Sequence, residues 1–248
     1  MEKLNPQLRN AGNLGDILKH AALLSLARLL NARNAGQSIN YFETHAFQLQ
    51  TSLPNPTQWE DECRDEIIQH PSYQPYHAAE LSFVNNGQYR CSGGLIIDAL
   101  PNRRLFLAEA NPQTRSVLQG QLAAESVPCE LLLSDAKGFE FLAAVNTPGP
   151  VLGLVDPFTS PHEVWKAACN AAIALRKSDA DGVIEVFSYS DSGLVSWPDP
   201  PAGFIGPVAT ITRHPYFLAV YSTETVAAQV KRELLDLGWS DISQVIKA

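Results

Sequence analysis

At 248 residues, with 45% hydrophobic and 18% charged residues, the chain can bury one substantial core and is not wholly disordered. Its formal charge of −8 weighs against a dedicated nucleic-acid binder, because such a protein needs a basic face to displace counterions from phosphates. No stretch approaches the roughly 20 uninterrupted apolar residues of a membrane helix. Met1-Glu2-Lys3-Leu4-Asn5-Pro6 also lacks the cationic-then-apolar pattern of a secretory signal, so a cytoplasmic protein without a membrane partner is expected.

The first clear element is a helix over residues 14–32. Leu14, Ile17, Leu18, Ala21, Leu24 and Leu29-Leu30 recur at helical spacing, with Asn13 as N-cap and Asp16 in the first turn. Asn34-Ala35-Gly36 ends it, and a strand follows over about 38–43. Residues 47–90 break the rhythm with Pro54, Pro56, Pro71 and Pro75. They predict an acidic surface helix from Trp59 to Ile68 and a short one from Tyr76 to Val84, a helical insertion too small for a strong core of its own. Ser92-Gly93-Gly94 opens another helix through Leu100.

From Arg104 the pattern alternates, with strands near 104–109, 129–134, 151–156 and 182–188 and helices near 112–125, 138–145 and 162–176. Such alternation predicts an α/β fold with a parallel sheet. The end differs: strands 208–213 and 216–222 meet at His214-Pro215 as a hairpin, and a helix over about 225–237 follows. The whole chain, 1–248, reads as one domain carrying the insertion.

Cys63, Cys91, Cys129 and Cys169 show no CxxC pairing, and Cys129 and Cys169 sit in apolar patterns that predict buried thiols. No pair of histidines has metal-ligand spacing on a predicted helix, so no metal is expected. Trp59, Trp165, Trp197 and Trp239 are dispersed, as packing anchors are. His162 reads as a surface helix residue.

Four carboxylates stand where an apolar run stops: Glu43, Glu109, Asp135 and Asp156. In an open α/β sheet the carboxyl ends of parallel strands line the ligand crevice. Acids at that edge suit the ribose hydroxyls and exocyclic amine of a nucleoside, which points to S-adenosylmethionine. No glycine-rich phosphate turn, Walker lysine loop or nucleophile elbow is present, which argues against a nicotinamide dehydrogenase.

Ala11-Gly12-Asn13-Leu14-Gly15-Asp16-Ile17-Leu18-Lys19-His20, taken with Glu43-Thr44-His45-Ala46, resembles the RlmJ-type family of bacterial methyltransferases that act on adenine N6 of 23S ribosomal RNA. The resemblance runs in order through most of the chain and is weak over 47–90. It implies a class I methyltransferase-like (Rossmann-like) central sheet, mostly parallel, with a C-terminal antiparallel hairpin and helices on both faces. It further implies that Lys19, His20 and His45 line the S-adenosylmethionine pocket, with Ser92-Gly93 at the place of a cofactor-contacting serine. Glu109 would take the ribose hydroxyls, and Asp135-Ala136 the cofactor's adenine amine. Asp156-Pro157-Phe158-Thr159 stands where the family has DPPY, so Asp156 and the Pro157 carbonyl would accept the hydrogens of an adenine amine, and Phe158 would replace the stacking ring.

Several positions depart from the family. Phe158 replaces the second proline and Thr159 the aromatic residue. Phe47 stands where a glycine is expected, and Leu4, Asn5, Gln7, Arg9 and Asn10 replace the Tyr and His residues that meet RNA. Three readings therefore stand side by side: an RNA adenine-N6 methyltransferase, a non-catalytic binding or scaffold relative, and a methyltransferase for a small molecule or protein.

Overall fold

The computed structural model describes residues 11–141, 148–157, 161–190 and 196–240. Phe158 and Thr159, and the second half of the helix expected over 138–145, lie outside them. Helix α1 (Leu14–Arg33) is followed by β1 (Ile39–Glu43), β2 (Gln50–Ser52), α2 (Pro56–Gln69), a 3-10 turn at Pro71–Tyr73, α3 (Gln74–Val84), β3 (Gln88–Arg90) and α4 (Ser92–Ala99). Then come β4 (Arg103–Ala108), α5 (Pro112–Ala124), β5 (Leu131–Leu133), a 3-10 segment Ala136–Phe141, β6 (Val151–Val155) and α6 (His162–Leu175). The last elements are β7 (Gly182–Tyr189), β8 (Ile205–Arg213), β9 (Tyr216–Ser222) and α7 (Glu224–Asp236).

Seven strands form one sheet in the order β5-β4-β1-β6-β7-β9-β8. The pairs β1–β4, β1–β6, β4–β5 and β6–β7 are parallel, whereas β9 runs antiparallel to both β7 and β8. This is the class I methyltransferase-like, Rossmann-like sheet with its C-terminal hairpin. The chain moves outward from β1 through β4 to β5, then returns to lay β6 on the other side of β1. That reversal is the topological switch point, where diverging loops leave a crevice beyond the strand ends.

Both faces of the sheet are covered. Tyr41, Leu105, Leu107, Leu152, Leu154 and Val183 pack toward α1, α4, α5 and α7. Phe42, Phe106, Val151, Val155, Ile184 and Val186 pack toward α6. Burial on both faces explains why β1 and β6 read as unbroken apolar runs rather than as alternating patterns.

Two expectations need correction. The segment after β5 is a 3-10 turn over its described part, because Gly138 and the Asp135–Gly138 backbone hydrogen bond favour a tight turn. Cys129 and Cys169 are only half-buried, and the buried thiols are Cys63 and Cys91. The insertion also carries a two-stranded antiparallel ladder, β2 with β3, that its short polar strands do not announce. No helix among the described residues is long and apolar enough to cross a membrane.

Gly153 fixes one close approach in the sheet. It pairs in register with Phe42 of β1, and a Cβ at position 153 would lie 2.2 Å and 2.4 Å from Cζ and Cε1 of the Phe42 ring. Gly153→Ala is expected to destabilise the fold by about 1–3 kcal/mol through overpacking, read as a lower urea midpoint at unchanged m-value.

Candidate functional site

The first turn of α1 explains the Ala11–His20 segment. Asn13 Oδ1 accepts from the Asp16 backbone N–H at 3.0 Å, and Asp16 Oδ2 accepts from the Gly12 N–H at 3.0 Å. This reciprocal arrangement satisfies donors that an isolated helix end leaves open. Helical spacing then stacks Lys19 and His20 above Asp16, at i+3 and i+4. Lys19 Nζ lies 2.9 Å from Asp16 Oδ1 and 2.7 Å from Asp156 Oδ2, and 5.2 Å from the Phe187 ring centroid. The Lys19 side chain is 8% exposed, so its two carboxylates offset a large desolvation cost. Burial works against the ammonium, but Asp156 and Asp16 outweigh it and hold the Lys19 pKa above its ordinary range.

His20 is equally buried. Its Nδ1 lies 2.8 Å from the Tyr89 hydroxyl, which lies 3.0 Å from that of Tyr76, and Tyr76 accepts from Trp59 Nε1 at 3.3 Å. An indole nitrogen can only donate, so Trp59 donates into a chain of hydroxyls that ends on the His20 ring. Burial, followed by the charge of Lys19, pushes His20 down to about 3. The ring is neutral, and three aromatic residues of the insertion hold it.

Glu43 closes β1 and is 1% exposed. Its Oε2 accepts from the Tyr41 hydroxyl at 2.9 Å, and its Oε1 accepts from Ser92 Oγ at the start of α4. Burial raises its pKa to about 7, against the hydrogen bonds from Ser92 and Tyr41. His45, whose Nδ1 lies 2.9 Å from Thr44 Oγ1, is held below its ordinary range by burial, with Asp156 and Asp135 opposing.

These groups share a cavity of about 420 Å³, within the range of roughly 300–1,000 Å³ usual for ligand sites. Asp16, Lys19, His20, Glu43, His45, Ser92, Asp156 and Pro157 line it, together with Phe47, Tyr89, Phe187, Tyr189 and Tyr216. Phe47 is thus a half-buried wall that leaves the cavity open. Gly93 lies behind it: a Cβ there would come 3.8 Å from Glu43 Oε2. All four strand-end acids stand at one sheet edge, but Glu109, Asp135 and Ala136 are not among the cavity's lining residues. Glu109 is buried and its Oε1 accepts from the Asn111 N–H at 2.7 Å. Asp135 is exposed and accepts from the Lys137 N–H at 2.8 Å, while Ala136 is buried beside it. Phe158 lies outside the described residues, and no cluster able to hold a metal occurs among those described.

The sequence reading did not anticipate Tyr89, Phe187 or Tyr216, and it saw Asp16 only as a first-turn acid. The i,i+3 spacing of Asp16 and Lys19 was an available signal. Glu185 was another, as a lone acid inside Val183-Ile184-Glu185-Val186-Phe187. It is fully buried, and neither of its carboxyl oxygens has a hydrogen-bond partner among the described residues. Burial holds its pKa well above the usual carboxylate range, against the charge of Lys19.

No protein-family model matches the chain, and a search of curated proteins finds no match. Among solved structures it is similar to protein LPL1258 from Legionella pneumophila str. Philadelphia 1, of the DUF519 family. The TM-score is 0.59 at 17% identity, covering 89% of this chain and 90% of that one. An rRNA methylase from Streptococcus thermophilus matches with a TM-score of 0.43 at 12% identity, covering 83% and 95% of the two chains. The likeness to the Legionella protein is one of fold.

The Glu43 environment predicts a pH dependence. Its folded pKa lies above its ordinary value of 4.5, so the folded state binds an extra proton between pH 4.5 and about 7. The stabilisation is complete below pH 4.5 and is lost as pH rises through 7. Relative to Glu43→Gln, the wild type should lose up to about 1.4 kcal/mol of stability per pH unit across that window. Urea unfolding of both proteins at pH 5, 6, 7 and 8 measures the difference.

Proposed function

We propose that this chain is an S-adenosylmethionine-dependent methyltransferase acting on the exocyclic N6 amine of adenine in RNA. The observation that carries the reading is Asp156, which follows the central strand β6 at the switch point, lines the cavity with Pro157, and is gripped on one oxygen only. Lys19 holds Oδ2, and Oδ1 has no hydrogen-bond partner among the described residues. Oδ1 and the Pro157 carbonyl are suited to accept the two hydrogens of an aryl amine. An adenine amine is a poor nucleophile because its lone pair is delocalised into the ring. Two acceptors in fixed positions localise that pair toward an incoming methyl group.

The cavity's chemistry fits the cofactor. Glu43 is a buried carboxyl raised to about 7, so a cationic guest draws it to its charged form. Ser92, which donates to Glu43, keeps that carboxyl aimed, and His45 adds a second polar edge. Glu109 and Asp135, on the adjoining strands of the same edge, are the groups for ribose hydroxyls and for an exocyclic amine, as the family resemblance implies. When bound, the cofactor supplies an electrophilic methyl group on a sulfonium. The RNA reading rests on the resemblance of Ala11–His20 and Glu43–Ala46 to the RlmJ-type family.

A second reading, a binding protein without turnover, is favoured by one feature: Asp156-Pro157-Phe158-Thr159 in place of DPPY. Calorimetry and a methyl-transfer assay on large-subunit ribosomal RNA separate the two. Micromolar S-adenosylmethionine binding is expected, weakened at least about tenfold (1.4 kcal/mol) by Glu109→Ala. Asp156→Asn, which keeps a side-chain oxygen but removes the carboxylate, should abolish methyl transfer, with a thermal melt confirming that the variant folds. Binding without any methylated RNA supports the second reading, and absence of binding overturns both.

A further inference from the structure

We propose that the insertion fixes the tautomer of His20: Tyr89 donates its hydroxyl hydrogen to Nδ1, so that the ring offers a fixed Nε2–H donor to the cavity. Tyr89 is then a positioning residue for cofactor binding, and the inference rests on the reading of that cavity as the S-adenosylmethionine site.

The assignment follows from the supply of hydrogens. Trp59 Nε1 lies 3.3 Å from the Tyr76 hydroxyl, that hydroxyl lies 3.0 Å from the Tyr89 hydroxyl, and the latter lies 2.8 Å from His20 Nδ1. The indole and the two phenols bring three hydrogens to these three hydrogen bonds. Run from Trp59 through Tyr76 and Tyr89 to Nδ1, every hydrogen meets an acceptor. A hydrogen on Nδ1 would be a fourth. Because the indole can only donate, the surplus would fall on the Tyr76 or the Tyr89 hydroxyl, and neither has another acceptor among the described residues. Both tyrosines are 1% exposed, so water does not take up that hydrogen. A buried donor left without an acceptor is strongly disfavoured.

His20 does not evade the choice by taking a second proton, since burial and the charge of Lys19 push it down to about 3. Packing keeps the chain in register. The Tyr89 ring stacks on that of His20 with centroids 5.5 Å apart and planes at 21°. His77 stacks on Trp59 at 5.4 Å and 10°. A Cβ at Gly12 would come 3.3 Å from Trp59 Cδ1, so the turn that opens α1 rests on the same indole. Trp59, Tyr76 and Tyr89 come from α2, α3 and β3, which makes the whole insertion the support of one imidazole.

The free edge of that imidazole matters to a guest. His20 lines the cavity, and its Nε2 has no hydrogen-bond partner among the described residues. The ammonium of Lys19, in the same cavity, is already taken by Asp16 and Asp156. A neutral N–H at His20 meets an accepting oxygen of the cofactor without adding charge to the site. The opposite tautomer would present a bare nitrogen lone pair to the same oxygen and repel it.

The test uses the full-length protein with 15N-labelled histidine. Long-range proton–nitrogen spectra report which ring nitrogen carries the hydrogen, and comparison with His20→Ala assigns the signals of His20 among the six histidines. Without any ligand, the wild type should show a protonated Nε2 and a bare Nδ1 shifted by an accepted hydrogen bond, unchanged from pH 5 to 8. Tyr89→Phe, which keeps the stacked ring, should abolish that shift. A hydrogen found on Nδ1, or a ring that titrates in that range, overturns the proposal. Calorimetric titration with S-adenosylhomocysteine reads the consequence. Tyr89→Phe should weaken binding about tenfold. In a His20→Ala background the same change should alter binding less than about twofold, because the hydroxyl acts only through that ring. An equal loss in both backgrounds would make Tyr89 a general support of the fold and overturns the positioning role. Thermal melts confirm that each variant folds. A wild type with the Nε2–H ring but no affinity for S-adenosylhomocysteine would count against the methyltransferase reading and leave the tautomer assignment standing.

Discussion

Lys19 is the group on which the site depends. It projects from the first turns of α1, is almost wholly buried, and holds Asp16 of its own helix and Asp156 at the end of β6. A buried ammonium without partners would deprotonate or unfold its surroundings, and removing one partner of a buried pair costs roughly 3–5 kcal/mol. Two carboxylates therefore have to be present, and their positions tie the start of the chain to the switch point of the sheet. Because Asp16 also completes the helix cap through Gly12 and Asn13, the local rule for starting a helix and the long-range rule for closing the crevice are met by one side chain. The interaction leaves one edge of Asp156 facing the cavity, where an incoming amine can meet it.

The insertion reaches the same place by another route. Its strand β3 supplies Tyr89, whose ring stacks on His20 at 5.5 Å between centroids, and its helices supply Tyr76 and Trp59 to complete the hydrogen-bond chain. Burial and the neighbouring charge of Lys19 both disfavour a protonated imidazole, and the low pKa of His20 has that origin. Glu43 and Glu185, on the same face of the sheet, answer burial in the opposite sense and favour their neutral forms. The floor of the crevice is therefore less acidic than its count of carboxylates suggests. The net charge of −8 is a poor guide to the field inside it.

Much of the fold was legible because each parallel strand is a short apolar run closed by an acid, and because the long helices carry caps and unbroken periodicity. Asn13, Asp16 and the Asn34-Ala35-Gly36 stop mark α1 to within a residue. The ladder β2–β3 was not legible, since Gln50-Thr51-Ser52 and Gln88-Tyr89-Arg90 are short and polar and acquire strand geometry only from each other. The 3-10 segment after β5 was missed because its residues, Ala136-Lys137-Gly138-Phe139, suit a helix except for Gly138. In the site, Lys19, His20, His45, Ser92, Asp156 and Pro157 come together around one cavity, whereas Glu109 and Asp135 stand farther along the same edge. Tyr216 and Phe187 had no local signal at all. Their place depends on strand register between distant parts of the chain, which no spacing along the sequence encodes.

The shape of the crevice, its acids and its aromatic lining all follow if the Lys19–Asp156 contact is energetically real and not a passive meeting of two side chains. A double-mutant cycle on folding stability, with Lys19→Met, Asp156→Asn and the double variant, measures it directly. The account predicts a coupling energy of at least about 2 kcal/mol, because Asp156→Asn leaves the buried Lys19 ammonium with one carboxylate and Lys19→Met leaves the partly buried Asp156 with none. Single effects that add within about 0.5 kcal/mol would contradict it.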